Sequence, residues 1–243
     1  MMQPQLSSTI ERRLLVNYRV DPVVVARLLP ARMRPRLIRG HALAGICMLR
    51  LSKVRPNWAP KGVGLRSENA AHRFAVEWDG PNGIETGVYI PRRDTASRVN
   101  AVAGGRLFPG DYRLADFRVH ETPDELHIAF DARDGAAHLE VTVALADELS
   151  SSELFTDLDA ASTFFQGEAG GFSTTRPGGH LDGMALHADT WCMEACRVRS
   201  ATSSFFDDPN LFPPGTATLD SALVMRDLPA RWEPLPSMAL AAH

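Results

Sequence analysis

Polar and apolar residues alternate along much of the chain with the two-residue period of a β-strand. In residues 12–19 the side chains of Leu14, Val16 and Tyr18 share one face and polar side chains occupy the other. This pattern predicts a half-buried strand. Residues 42–51 form a continuous apolar run, which predicts a central strand buried on both faces. The other predicted strands are residues 68–78, 86–90, 112–120, 126–131, 138–145, 193–198 and 218–225.

A few short helices are predicted between the strands. Asp21 followed by Pro22 is typical of a helix start, because Asp accepts free amide hydrogens of the first turn and Pro has no amide hydrogen to leave unbonded. This signal predicts a helix over residues 23–29 that ends at Pro30. The other predictions are a helix over residues 95–103 ending at Gly104-Gly105, a helix over residues 159–166 capped by Asp159, and a mobile Gly-rich loop over residues 167–179.

Turn-forming residues connect most of these strands to their neighbours in the sequence. Residues 79–83 are dense in turn formers and predict a hairpin between 68–78 and 86–90, and the three strands between residues 112 and 145 predict a meander. No repeat of fixed period and no linker-like run divides the chain. The sequence therefore predicts one domain, residues 1–243, of the α+β class but mainly β, built on a large antiparallel sheet.

The composition argues against several classes of partner. The 243 residues carry 26 Lys and Arg against 29 Asp and Glu, a net charge of −3, so we expect no nucleic-acid partner. No apolar run approaches the roughly 20 residues that cross a bilayer, and the chain does not begin with the pattern of a signal peptide. We therefore expect a cytoplasmic protein with no membrane partner.

Cysteine content and stock motifs argue against a metal or an organic cofactor. Cys47, Cys192 and Cys196 are too few for a disulfide framework. Cys192 and Cys196 could join His187 around a metal, but the second ligand pair of the usual zinc signature is missing, so we expect no metal. The sequence has no phosphate-binding loop, dinucleotide-binding glycine pattern, zinc-protease motif or hydrolase elbow, so we expect no cofactor.

Two polar segments lie on or beside predicted core strands. Glu68 and His72 are four residues apart on one strand, so their side chains point to the same face. If that face lines a pocket, Glu68 is a candidate acid or base and His72 its partner; the alternative is a solvated edge strand. Arg92 and Arg93 lie between a strand and a helix start, where they could hold a carboxylate or phosphate, whereas Asp94 could simply cap the helix.

Three stretches carry a family resemblance: ENAAHRFAVEW at residues 68–78, GVYIPRRDT at 87–95 and GGRLFPG at 104–110. Together with residues 18–30 and 203–213, they resemble the family called domain of unknown function 2071, which belongs to the acetoacetate-decarboxylase-like superfamily. The resemblance covers nearly the whole chain. It implies a large, bent antiparallel sheet that forms a cone or barrel around a central pocket, with a few short flanking helices.

The resemblance also implies a mechanism that this sequence does not retain. The decarboxylase of that superfamily uses a lysine that forms a Schiff base with a ketone and is kept neutral by a second lysine. Counting along the matching segment, residues 103–115, places Tyr112 and Arg113 at these two positions. The only lysines, Lys53 and Lys61, lie elsewhere in the chain. A Schiff base is therefore not expected.

A pocket of the superfamily type could still bind an organic acid. The resemblance matches Glu68 to a pocket glutamate, and Arg13 and Arg19 are the nearest counterparts of a pocket arginine on the first strand. In this interpretation Glu68 moves a proton, Tyr112 polarises a carbonyl and Arg113 pairs with a carboxylate. The expected catalytic residues are Glu68, Tyr112 and Arg113, and the expected substrate-binding residues are Arg13, Arg19, His72, Arg92 and Arg93.

These residues leave three functions open. The first is a lyase or isomerase that acts on a keto or hydroxy acid by enolisation, dehydration or decarboxylation without a Schiff base. The second is a non-catalytic binding protein that kept the fold and its pocket. The third is a scaffold whose paired aromatics, Phe164-Phe165 and Phe205-Phe206, anchor an oligomer or belong to the core. We expect a small organic acid as ligand and a homo-oligomer as the assembled state.

Overall fold

The structure is a computed structural model that describes residues 4–60, 64–103, 108–149, 151–175 and 179–240. Most of these residues belong to one continuous sheet. The strands are β1 (Leu6–Val20), β2 (Arg34–Pro35), β3 (Leu37–Ile38), β4 (His41–Pro56), β5 (Leu65–Gly80), β6 (Gly83–Thr95), β7 (Tyr112–Glu121), β8 (Glu125–Ala132), β9 (His138–Ala146), β10 (Gly170–Thr175), β11 (His180–Ala188), β12 (Glu194–Ser203) and β13 (Ala217–Ala239). The helices are α1 (Pro22–Leu28), α2 (Arg98–Ala103) and α3 (Leu158–Gly167).

The strands of the sheet close into two rings that share one wall. Pairings run from β6 through β5, β4, β1, β13, β11 and β10 back to β6, which makes a ring of seven strands among the described residues. A second path leads from β6 through β7, β8, β9 and β12 to β13, and returns through β1, β4 and β5 as a ring of nine strands. The shared wall therefore faces a core on each side.

The strand β1 shows how the shared wall is built. Leu14 and Val16 belong to one hydrophobic cluster, and Leu15 belongs to the other. The prediction of a half-buried strand is corrected, because the polar face of β1 also turns inward: Arg13 and Asn17 are buried. The expected burial of the 42–51 run on both faces is confirmed in β4.

Several predicted elements are confirmed. Helix α1 begins after Asp21, whose side chain accepts the amide hydrogen of Val23 at 2.8 Å. The hairpin of β5 and β6 and the meander of β7, β8 and β9 form as expected. The predicted strands at residues 193–198 and 218–225 correspond to β12 and to part of β13. No helix in the described part of the chain has the length and apolarity to cross a membrane.

Other elements differ from the prediction for identifiable reasons. The sheet is mixed, because β6 runs parallel to β7 across α2 and parallel to β10. Helix α3 is capped by Asp157, which accepts the amide hydrogen of Ala160, and not by Asp159. Helix α2 is shorter than predicted, and its proposed glycine cap lies outside the described residues. Part of the predicted mobile loop is strand β10, and β11 and the second half of β13 were not predicted.

The paired aromatic residues contribute to the core. Phe165 and Phe206 are buried, while Phe164 and Phe205 are partly buried and pack against the two hydrophobic clusters. The structure therefore favours the interpretation of these pairs as core residues over their interpretation as anchors of an oligomer.

Candidate functional site

The seven-strand ring encloses a central cavity of about 90 Å³. Apolar side chains from β4, β6 and β11 form much of its wall. Among the described residues, three arginines, one carboxylate and one phenol are set into this wall: Arg13, Arg73, Arg93, Glu168 and Tyr112. An apolar cavity with a few convergent polar groups is the usual form of a ligand site.

Two of the cavity arginines are buried and have no carboxylate partner among the described residues. Arg73 is 3% exposed and donates to Asn17 Oδ1 at 2.5 Å, and Arg13 is 9% exposed, with a contact of 3.9 Å from its Nη1 to Met225 Sδ. The Nε atom of each has no hydrogen-bond partner in the described part of the chain. Burial lowers the pKa of Arg73 to about 10, so its guanidinium remains charged at neutral pH. A buried charge without a directly bonded counterion is unfavourable, and an anion in the cavity would supply one.

Arg93 and Tyr112 form a second polar group in the wall. Arg93 donates to Ser173 Oγ at 3.2 Å and to the Tyr112 hydroxyl at 3.5 Å, and its guanidinium carbon lies 5.6 Å from the centre of the Tyr112 ring. Gly110 brings this segment close to β10, since it has φ +86° and a Cβ there would lie 2.7 Å from Ser173 Cβ. Burial raises the pKa of Tyr112, so the phenol keeps its proton and can donate a hydrogen bond.

Glu168 is the carboxylate of the cavity and was not predicted as a site residue. It follows α3 directly, is 3% exposed and forms an ion pair with Arg36 through Oε1. Its Oε2 has no hydrogen-bond partner within the described part of the chain. Burial raises the pKa of Glu168 to about 7, against the opposing effect of Arg36 and Arg73. A carboxyl group that titrates near neutral pH can both accept and return a proton.

Glu68, the pocket carboxylate expected from the sequence, lies outside the central cavity. Glu68 projects from the other side of β5 from Arg73 and does not line the cavity. It accepts hydrogen bonds from Arg12 at 2.6 Å and from Arg50 at 2.5 Å, and both arginines also contact Glu121. The carboxylate is already satisfied by this ion network.

Arg113 and Arg92 also lie outside the cavity. Arg113 is adjacent to Tyr112 on β7 but points to the opposite side, is 44% exposed and contacts Asp134 at 2.7 Å. Arg92 pairs with Asp94 at 2.7 Å and with Asp134 at 3.0 Å. Because side chains alternate along a strand, only Arg93 of the pair turns inward.

His72 and Arg19, two predicted substrate-binding residues, do not line the cavity and contact other side chains of the protein. His72 is buried, and its ring centre lies 4.6 Å from that of Phe205. Burial, with the charge of Arg92, lowers the pKa of His72 to about 3, so it is neutral at physiological pH. Arg19 contacts Glu153 at 3.1 Å. Of the eight predicted site residues, the cavity brings together Arg13, Arg93 and Tyr112.

No lysine lines the cavity among the described residues. Lys53 is exposed and borders a separate surface cleft, and Lys61 lies outside the described ranges. Within those ranges no cluster of three or more His, Cys, Asp or Glu side chains has the arrangement of a metal site.

Comparisons with known proteins agree with this architecture. Residues 7–222 match the family of uncharacterized conserved proteins DUF2071. The structure resembles the acetoacetate decarboxylase of Legionella pneumophila at 12% identity and a TM-score of 0.60, over 99% of this chain and 88% of that one. It also resembles an acetoacetate decarboxylase-like enzyme of Sphingomonas wittichii RW1, at 10% identity and a TM-score of 0.62, over 98% and 95% of the two chains.

A third similar structure is the enduracididine biosynthesis enzyme MppR complexed with pyruvate, at 14% identity and a TM-score of 0.58, over 99% of this chain and 91% of that one. A comparison with curated proteins finds no match. At such identities the likeness to solved structures shows the fold alone, whereas the family match spans most of the sequence. The chain belongs to the DUF2071 family, and its fold is that of the acetoacetate-decarboxylase-like proteins.

Proposed function

We propose that the protein binds a small keto or hydroxy acid in the central cavity and acts on it as a Schiff-base-independent lyase or isomerase. The observation that supports this function is the polar lining of the cavity, which among the described residues consists of three arginines and one carboxyl group whose pKa is raised to about 7. The arginines supply the charge that binds an organic acid, and Glu168 supplies a proton carrier suited to neutral pH.

Binding begins with the carboxylate of the acid. Guanidinium groups pair with carboxylates in two parallel hydrogen bonds, and such contacts are strong where water is excluded. Arg13 and Arg73 line the cavity and pair with no carboxylate among the described residues, so their guanidinium groups supply this contact. The apolar wall would pack against the carbon chain of the same ligand.

The proton step uses Glu168 and Tyr112. The ionised Glu168 takes a proton from the carbon adjacent to the ligand carbonyl. The electron pair of the broken C–H bond forms the C=C bond of an enolate, and the π pair of the carbonyl moves to its oxygen. Tyr112 donates a hydrogen bond to that oxygen, and Arg93 beside it stabilises the developing negative charge. Protonated Glu168 then returns the proton to carbon. This step regenerates its carboxylate and requires no imine.

Hydrogen exchange in D₂O tests this step without knowledge of the natural product. Pyruvate and other short 2-oxo acids would be incubated with the protein, and the loss of the C–H signals next to the carbonyl would be followed by proton NMR. A general base typically contributes about 10²–10⁴-fold, so Glu168→Gln should slow the exchange by about 100-fold or more. Tyr112→Phe should slow it while ligand binding persists.

The control is Arg118→Gln, which removes an exposed arginine paired with Asp131 on the outside of the sheet. It should exchange at the wild-type rate. Equal rates for wild type, Glu168→Gln and protein-free buffer would contradict the catalytic proposal.

The second candidate is a binding protein without catalysis. The observation that favours it is that no lysine lines the cavity among the described residues. Without a lysine, a Schiff base with the ligand cannot form there. Ligand binding with no acceleration of exchange in the same experiment would select this candidate.

The assembled state and location remain predictions from sequence. We propose a cytoplasmic homo-oligomer, and light scattering coupled to size-exclusion chromatography would measure its mass. A mass equal to the 26.6 kDa of one chain would contradict the oligomer.

A further inference from the structure

The charges of the cavity do not balance. Arg13, Arg73 and Arg93 line it, and Glu168 is the only carboxylate among the described lining residues. Glu168 is already paired with a fourth arginine, Arg36. With all four arginines protonated and Glu168 ionised, the group carries three positive charges in excess. One monocarboxylate would leave two of them without a counterion.

The arginines form two separate binding points. Arg13 and Arg73 reach the side of the ring formed by β1 and β13, where Arg13 Nη1 lies 3.9 Å from Met225 Sδ and Arg73 donates to Asn17 Oδ1 at 2.5 Å. Arg93 instead lies against Ser173 and Tyr112, on β6. An anion with charge at both ends could contact both points at once.

The size of the cavity restricts the length of such a ligand. At about 90 Å³ the cavity is small for a ligand site. This is the size of a short dicarboxylic acid such as malonate or succinate. A volume of this size favours a short acid over a long-chain acid or a nucleotide.

We propose that the ligand of the central cavity is a short dicarboxylate, with one carboxylate at Arg93 and the other between Arg13 and Arg73. This inference rests on the proposed function and specifies its substrate class. The second carboxylate neutralises positive charge of the cavity arginines that a simple keto acid would leave unpaired. An unpaired charge is unfavourable inside an apolar cavity.

Succinate and its monoamide, succinamate, form a matched pair of probes, because they have the same number of non-hydrogen atoms and differ by one charge. Isothermal titration of the wild-type protein with each, and with pyruvate, would be done in a buffer without phosphate or polycarboxylates. Succinate should bind at least tenfold more tightly than succinamate. Arg93→Gln should reduce that preference to about twofold or less, whereas the control Arg118→Gln should retain it.

A second variant, Arg73→Gln, tests the other binding point and should also reduce the preference for succinate. It keeps the test valid if Arg93→Gln fails to fold, and circular dichroism would establish that each variant is folded. Equal affinity of the wild-type protein for succinate and succinamate overturns the inference. If pyruvate binds under the same conditions, the proposed function still stands. If none of the three acids binds, the organic-acid function fails as well.

Discussion

Glu168 shows how the surroundings of one residue create a chemical property that the sequence does not display. The side chain is nearly inaccessible, one oxygen is paired with Arg36, and the other has no hydrogen-bond partner among the described residues. Burial disfavours the charged form more than the nearby arginines favour it, so the pKa rises from 4.5 to about 7. The same carboxyl on an exposed loop would stay ionised at neutral pH and would be a weak base.

The raised pKa of Glu168 predicts a pH-dependent stability. Between pH 4.5 and pH 7 the unfolded chain loses this proton while the folded chain retains it, so the free energy of unfolding falls as pH rises. A shift of this size corresponds to about 3 kcal/mol. Urea denaturation of wild type and Glu168→Gln across this range should show the wild type losing about that much relative to the variant. A difference that does not change with pH would contradict the assignment.

The candidate site could be predicted only in part because strand faces decide which side chains meet. Tyr112 and Arg93 were selected from sequence and lie together at the cavity. Their neighbours in the sequence, Arg113 and Arg92, point away, since residues one apart on a strand face opposite sides. Glu168 was missed because the glycines around it indicate a loop. A single Glu among small residues offered the only signal.

At the scale of elements, local signals predicted where most strands and helices lie but not their ends. Alternation and turn residues identified β5, β6 and the meander, whose pairings are local in sequence. The strand β10 was not recognised, because its neighbours, β6 and β11, supply its hydrogen bonds. Such strands are stabilised by tertiary pairing more than by their own residues.

The cap of α3 gives a prediction at this scale. Asp157 accepts the amide hydrogen of Ala160 at 2.8 Å, whereas Asp159 lies within the first turn. Losing an N-cap costs about 0.5–2 kcal/mol, so Asp157→Ala should lower the free energy of unfolding by that amount. Asp159→Ala, the matched control, should lower it by about 0.5 kcal/mol or less, the size of a helix-dipole effect. Chemical denaturation of both variants measures this, and a larger loss for Asp159→Ala would contradict the assignment of the cap.

At the scale of the whole molecule, the two rings share β1, β4, β5, β6 and β13, so neither core can form completely without the other. The mainly β class and the large sheet were predictable from the alternation and from the family resemblance. The two-ring closure was not, because it depends on the pairing of β11 with β13 and of β6 with β7, which are distant in sequence or cross a helix.

The shared wall predicts that the protein unfolds as one unit. Thermal unfolding followed by circular dichroism and by tryptophan fluorescence should give one transition with the same midpoint. Trp232 reports on the seven-strand ring because it lines the cavity. Two transitions with different midpoints would contradict the prediction of a single domain.

The central claim is that the cavity attracts small organic anions, and Cys47 offers a direct test in the unaltered protein. Cys47 lines the cavity close to Arg73, whereas Cys192 is exposed. Peptide mass spectrometry would measure the rate at which iodoacetate, an anion, and iodoacetamide, its neutral counterpart, alkylate each thiol. The ratio of iodoacetate to iodoacetamide rates should be higher at Cys47 than at Cys192. An equal or lower ratio at Cys47, or no reaction there with either reagent, would contradict the account.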